Sequence, residues 1–215
     1  MISGVIFDND GIIGDTEILH YEARRAVLER LGYLLDKETY RLRMMSRHWG
    51  EALKVCPAAL LKPEHYKEMF EKMQAKYREL LDTCLRPVEG VQELVDRLRR
   101  RYSKLAIAST QPLQMVELVA RRCLGQKLLD SFDVVVSGED VKKNKPAPDV
   151  YLEAARLLRV EPKECAALEV SVPGIQSARA AGMLCIARKS EWATTKELIA
   201  ARPVAVIDSY EYIFH

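Results

Sequence analysis

Two acids stand two residues apart near the start of the chain, Asp8 and Asp10 in FDNDG. A carboxylate in such a place can attack an electrophilic phosphorus and form an acyl phosphate. A second carboxyl two residues on can protonate a leaving oxygen and later activate a water. Further along come Ser109 and Thr110 in AIAST, Lys145 in NKPAPD and Glu169 in LEVS. A phosphoryl group carries roughly two negative charges, and lysine and hydroxyl donors are what hold one. Carboxylates facing a phosphate repel it, and a divalent cation with oxygen ligands, Mg²⁺ above all, relieves that repulsion.

These residues matter only if the fold brings them together. Ile2 to Asp8 reads as a short buried strand, apolar and β-branched, closed by the acidic cluster and Gly11. Asp15 to Leu31 then has apolar residues at helical spacing, with Thr16 or Asp15 as its cap and Gly32 as its stop. Helical segments follow over 37–45, 49–55 and 63–81, and no strand-like run occurs between about 15 and 87. From Pro87 onward the texture alternates. Helices are expected over 91–101, 113–124, 148–158, 175–181 and 194–200, and strands over 105–109, 134–137, 166–169, 184–187 and 204–207. Strands alternating with helices imply a parallel sheet with right-handed crossovers. The first strand must join that sheet. The expected organisation is therefore a Rossmann-like α/β core, 1–14 and 87–215, with an all-helical domain, 15–86, inserted after strand one. The two crossings form a hinge. In an open parallel sheet ligands bind at the carboxyl ends of the strands. Asp8, Asp10, Ser109, Lys145 and Glu169 all follow strands on this reading.

Composition excludes other classes. The 215 residues are 48% apolar, which rules out intrinsic disorder. Lys and Arg number 33 against 31 Asp and Glu, a net charge of +2, so there is no general electrostatic reason to expect nucleic acid or an anionic membrane as partner. No apolar run approaches the ~20 residues of a membrane span, and the N-terminus lacks the basic region of a secretory signal. The five scattered cysteines have neither CxxC nor zinc spacing and read as free thiols of a reducing compartment. A cytoplasmic protein, monomeric or weakly dimeric, is expected.

Four segments, taken together and in order, carry a family resemblance. FDNDGIIGDTE resembles the first motif of the haloacid dehalogenase superfamily of phosphotransferases. Ser109 in AIAST is similar to its second motif, Lys145 in NKPAPD to its third, and LEVSVPGIQSARAAGM to its fourth. The helical insert resembles the family's small helical cap, and the likeness covers essentially the whole chain. In style it is similar to the sugar-phosphate phosphatases and β-phosphoglucomutase. The resemblance implies Asp8 as nucleophile and Asp10 as general acid and base. Ser109, with Thr110 beside it, and Lys145 would grip the phosphoryl group. Asp8, the backbone carbonyl of Asp10 and the acidic fourth motif, here Glu169, would hold Mg²⁺. Family dehalogenases expel halide, which needs no proton, and lack the second acid; Asp10 therefore argues for phosphoester chemistry.

The fourth motif departs from the subfamily's usual Glu-Asp-Ser, since Val170 stands where the metal-binding aspartate is expected. Three readings follow: Glu169 takes over as ligand, metal binds weakly and the enzyme is slow, or catalysis is lost and phosphate binding kept. In the inserted domain, His20 is a candidate substrate contact or an exposed face histidine. Arg47 sits where relatives carry a loop facing the active site and could clamp a second anionic group. Plainer readings stand beside these: Asp8 and Asp10 as turn residues, Ser109 as a helix cap, Glu139 and Asp140 as loop acids or caps. The function expected is a Mg²⁺-dependent phosphatase acting on a small phosphorylated metabolite, such as a sugar phosphate, through an aspartyl phosphate. The alternatives are a phosphomutase and a silent phosphate-binding relative.

Overall fold

The computed structural model describes residues 1–45, 53–57, 66–102 and 104–213. They form two compact units, Met1–Asp15 with Arg86–His215, and Thr16–Leu85. The first unit keeps one residue more at each crossing than expected. The Asp15 N–H donates to the Arg86 carbonyl (3.0 Å) and Gly14 bridges Pro87, which binds both crossing strands into that unit.

Among the described residues the first unit holds a six-stranded, all-parallel sheet. Its strands are β1 (Gly4–Phe7), β2 (Lys104–Ala108), β3 (Val134–Val136), β4 (Cys165–Glu169), β5 (Leu184–Arg188) and β6 (Ala205–Ile207), in spatial order β3-β2-β1-β4-β5-β6. The order reverses at β1, between β2 and β4, which is where an open α/β sheet opens its ligand crevice. Phe7 pairs with Ile107 on one side and Leu168 on the other, so β1, β2 and β4 end nearly level.

Alternation along the strands sorts the side chains to two faces. Ile6, Ala106, Ala108, Cys165, Ala167, Cys185 and Ala187 belong to one buried cluster with Tyr151, Ala154 and Leu158 of α7 (Asp149–Leu158) and Ile175 and Ala178 of α8 (Val172–Ala180). The small strand residues let these helices approach closely. The remaining helices of this unit are α4 (Val91–Arg101), α5 (Leu113–Leu124), α6 (Gln126–Leu129) and α9 (Thr195–Ala200). The four-residue α6, which follows Gly125 at φ +75°, is too short to register as periodicity and was not expected. Helix α8 starts at Val172 rather than 175, because the Ser171 hydroxyl accepts the Gly174 N–H and caps it.

The second unit is helical. Its elements are α1 (Glu17–Glu29), α2 (Lys37–Arg43), a 3₁₀ turn at Leu53–Val55 and α3 (Tyr66–Cys84). Met69, Met73, Tyr77 and Leu81 form the buried stripe of α3 at four-residue spacing, and α1 buries Leu19, Ala23 and Val27. Asp36 caps α2 by accepting the Thr39 N–H (2.7 Å). The five cysteines are free, Cys84 exposed and the other four buried. No helix among the described residues is long and apolar enough to cross a membrane.

Candidate active site

The sheet delivers three of the expected residues to one edge. Asp8 directly follows β1, and its N–H still donates to the Leu168 carbonyl of β4 (3.0 Å). Ser109 directly follows β2 and donates its N–H to Val136 of β3 (3.0 Å). Glu169 is the last residue of β4.

Lys145 arrives from the loop between β3 and α7 and joins them. Its Nζ donates to Asp8 Oδ1 (2.8 Å), Glu169 Oε1 (2.7 Å) and the Ala108 carbonyl (3.1 Å). Three acceptors satisfy the three donors of an ammonium group. The side chains of Lys145, Asp8 and Glu169 are only 7%, 10% and 0% exposed, so these charges are screened by one another rather than by water. One positive charge serves two carboxylates. Burial, then the charge of Glu169, holds the Asp8 carboxyl up at about 8, with Lys145 opposing and the neighbouring Asp10 adding to the rise. Burial alone would depress the Lys145 ammonium, but the charges of Asp8 and Glu169 more than reverse that and keep it protonated.

Glu169 is committed to the protein. Besides Lys145, its Oε1 accepts the Tyr151 hydroxyl (2.7 Å), and Oε2 accepts the Val170 N–H (3.0 Å), the Ser171 N–H (3.3 Å) and the Ser171 hydroxyl (3.3 Å). The carboxylate thus ties β4 to the start of α8. The Tyr151 ring also lies under the Lys145 ammonium, 4.9 Å from Nζ to its centroid. No sequence pattern pointed to Tyr151, which sits at an ordinary core position of α7.

The other expected residues stand as follows. Asp10 is half-buried and lies in the turn after β1. Ser109 is buried and its hydroxyl accepts the Gln111 N–H (3.1 Å). It therefore does not cap α5, whose Leu113 N–H is accepted by Glu139 (3.1 Å). Thr110 is exposed. His20 stacks on the buried Tyr77 within the helical unit, 4.0 Å between centroids and 11° between planes. Burial, then the charge of Arg24, holds it down at about 3, so it is neutral there. Arg47 lies outside the described residues.

The donor set can be tested for Mg²⁺. Asp8 and the Asp10 carbonyl are suitable oxygens. Glu169, expected as a ligand, already accepts five hydrogen bonds from the protein. Val170 offers methyl groups, and its Cγ1 lies 2.8 Å from where a Cβ on Gly11 (φ +74°) would stand, so apolar contact fills that corner. Among the described residues no group of three or more His, Cys, Asp or Glu is arranged to hold a metal. The residues present do not fit a resident Mg²⁺ ion, and no step below depends on one.

A Cβ on Gly174 would stand inside the Glu169 carboxylate. Gly174→Ala must therefore displace Glu169 from Tyr151 and Lys145. A loss of about 1–3 kcal/mol is expected in urea unfolding, the range for overpacking a tight site; unchanged stability would mean that Glu169 is not held as described.

The profile of the Haloacid dehalogenase-like hydrolase family matches residues 5–188. Protein CbbY of Cereibacter sphaeroides is 32% identical over 210 residues, 94% of this chain and 90% of that protein. Fructose-1-phosphate phosphatase YqaB of Escherichia coli is 34% identical over 183 residues, 84% of this chain and 93% of that protein. Among solved structures, a CbbY variant from Rhodobacter sphaeroides in complex with xylulose-1,5-bisphosphate superposes with a TM-score of 0.82 at 28% identity, covering 99% of this chain and 96% of that one. A profile spanning most of the chain, with relatives matched over nearly their full length, fixes the assignment: the chain belongs to the haloacid dehalogenase-like hydrolases.

Proposed function

We propose that this protein hydrolyses a small phosphate monoester of the sugar-phosphate class, with Asp8 as nucleophile. The observation that carries the proposal is the buried Lys145 bridging Asp8 and Glu169 at the carboxyl edge of the sheet. Lys145 aims the Asp8 carboxylate and supplies the positive charge next to the phosphoryl group. The ester oxygen of the substrate leaves as the Asp8–phosphorus bond forms, and Asp10 gives that oxygen its proton. Asp10 then takes a proton from the water that releases phosphate and regenerates Asp8. Ser109, fixed at the end of β2, holds a phosphoryl oxygen. Relatives named for fructose 1-phosphate and solved with a bisphosphorylated sugar support the substrate class.

Phosphatases and phosphomutases of this family generally use Mg²⁺, which neutralises charge on the transferring group. The chain offers it Asp8 and the Asp10 carbonyl, so its affinity without substrate is weak. Phosphate release from p-nitrophenyl phosphate and a panel of sugar phosphates should be lost in Asp8→Asn, by at least about 10³-fold for a covalent nucleophile. Full activity in Asp8→Asn would refute the proposal. Because Asp8 must be ionised to attack, kcat/KM should rise with pH toward about 8; a flat profile from pH 5 to 9 would contradict its buried, charge-raised state.

Val170→Asp restores a carboxylate of nearly the same volume. Mn²⁺ binding followed by electron paramagnetic resonance should be undetectable below millimolar metal in the native protein and at least about tenfold tighter in the variant, as one more oxygen ligand warrants. Submillimolar binding by the native protein would show that the site is complete without residue 170.

A further inference from the structure

We propose that Tyr210 and Arg188 are positioning residues for Asp10, acting through the backbone of the turn that carries it; the inference rests on the hydrolase reading above. The turn runs from Asn9 to Gly14, and its Ile12 and Ile13 are fully buried. Buried carbonyls require donors, and those of Asn9 and of Gly11 to Gly14 each have one. The Asn9 carbonyl accepts from the Ile13 N–H (3.0 Å) and the Gly14 N–H (3.2 Å). The Gly14 carbonyl accepts the Gly11 N–H (2.7 Å), and the Ile13 carbonyl accepts the Val88 N–H (3.0 Å). Two consecutive carbonyls, Gly11 and Ile12, are met instead by side chains from far along the chain. Arg188 Nη1, at the end of β5, donates to Gly11 (3.3 Å), and the Tyr210 hydroxyl donates to Ile12 (2.7 Å).

The two side chains are themselves held. Tyr210 is 2% exposed and starts the 3₁₀ turn Tyr210–Tyr212; its carbonyl accepts Arg97 Nη2 of α4 (2.9 Å). Arg188 lies over its ring, with the guanidinium carbon 5.9 Å from the centroid. Burial keeps the phenol well above its ordinary range, so the hydroxyl retains the proton it donates. Gly11, at φ +74°, directly follows Asp10 and carries the first of these two carbonyls. A turn released at Gly11 and Ile12 lets Asp10 drift while Asp8, fastened by β4 and Lys145, stays where it is. The C-terminal segment thereby governs proton transfer rather than phosphoryl capture.

Tyr210→Phe removes the hydroxyl and keeps the ring. It should lower kcat about tenfold, the scale of a small misplacement of a catalytic group, with KM unchanged and the melting temperature well above the assay temperature. Arg188→Leu should act in the same direction. In an Asp10→Asn background Tyr210→Phe should have no further effect on kcat, because the group it positions is already lost. A merely structural role would lower kcat by the same factor in both backgrounds, or lower only the melting temperature, and either result overturns the inference. Native kcat in Tyr210→Phe overturns it as well. Asp10→Asn with native activity would instead refute the hydrolase reading, so the two failures are distinguishable.

Discussion

One ammonium group shared by two buried carboxylates sets the terms for the rest of this site. Lys145 reaches Asp8 and Glu169 at 2.8 and 2.7 Å with almost no water around any of the three. Removing either partner of a buried pair strands a charge, which typically costs 3–5 kcal/mol. The fold is arranged so that none is stranded. The parallel order puts β1 between β2 and β4, so Asp8 and Glu169 come to adjacent strand ends. The Ala108 carbonyl takes the third ammonium proton, and Tyr151 takes part of the Glu169 charge. Gly174 leaves the space that the Glu169 carboxylate occupies.

With Asp8 and Glu169 both ionised the arrangement would carry a net negative charge, and burial together with that charge holds the Asp8 carboxyl up at about 8. A phosphoryl group brings more, and an attacking carboxylate must still be ionised. Lys145 offsets part of this negative charge through its 2.8 Å contact with Asp8 Oδ1. In this chain Glu169 is turned inward as a structural acid, and Val170 packs its methyl groups near Gly11. Lys145 is the positive charge that both carboxyl groups meet.

Much of this was legible in the amino-acid sequence because it rests on local patterns. β-Branched runs, helical spacing after Gly14 and the strand–helix alternation beyond Pro87 are short-range signals, and the all-parallel sheet follows from them. Asp8, Ser109 and Glu169 were placed at strand ends by the same logic. What was not legible depends on contacts between distant segments. Nothing near Glu169 in the sequence says that its carboxylate faces Tyr151 and the start of α8 rather than a cation. Tyr151 and Tyr210 sit at positions where any large apolar residue would satisfy the pattern, and only the folded chain reveals what their hydroxyls meet. His20 has the same ambiguity: its spacing suits either a ligand contact or a packed ring, and in the helical unit it stacks on Tyr77.

Bond formation between Asp8 and phosphorus is the central step of the proposed reaction. Rapid acid quench of the native protein during turnover of a phosphate monoester, followed by peptide mass spectrometry, tests it most directly. A phosphoryl adduct is expected on the peptide containing Asp8, formed within the first turnover and absent from Asp8→Asn. Phosphate release with no adduct at any quench time, or an adduct confined to a peptide lacking Asp8, would contradict it.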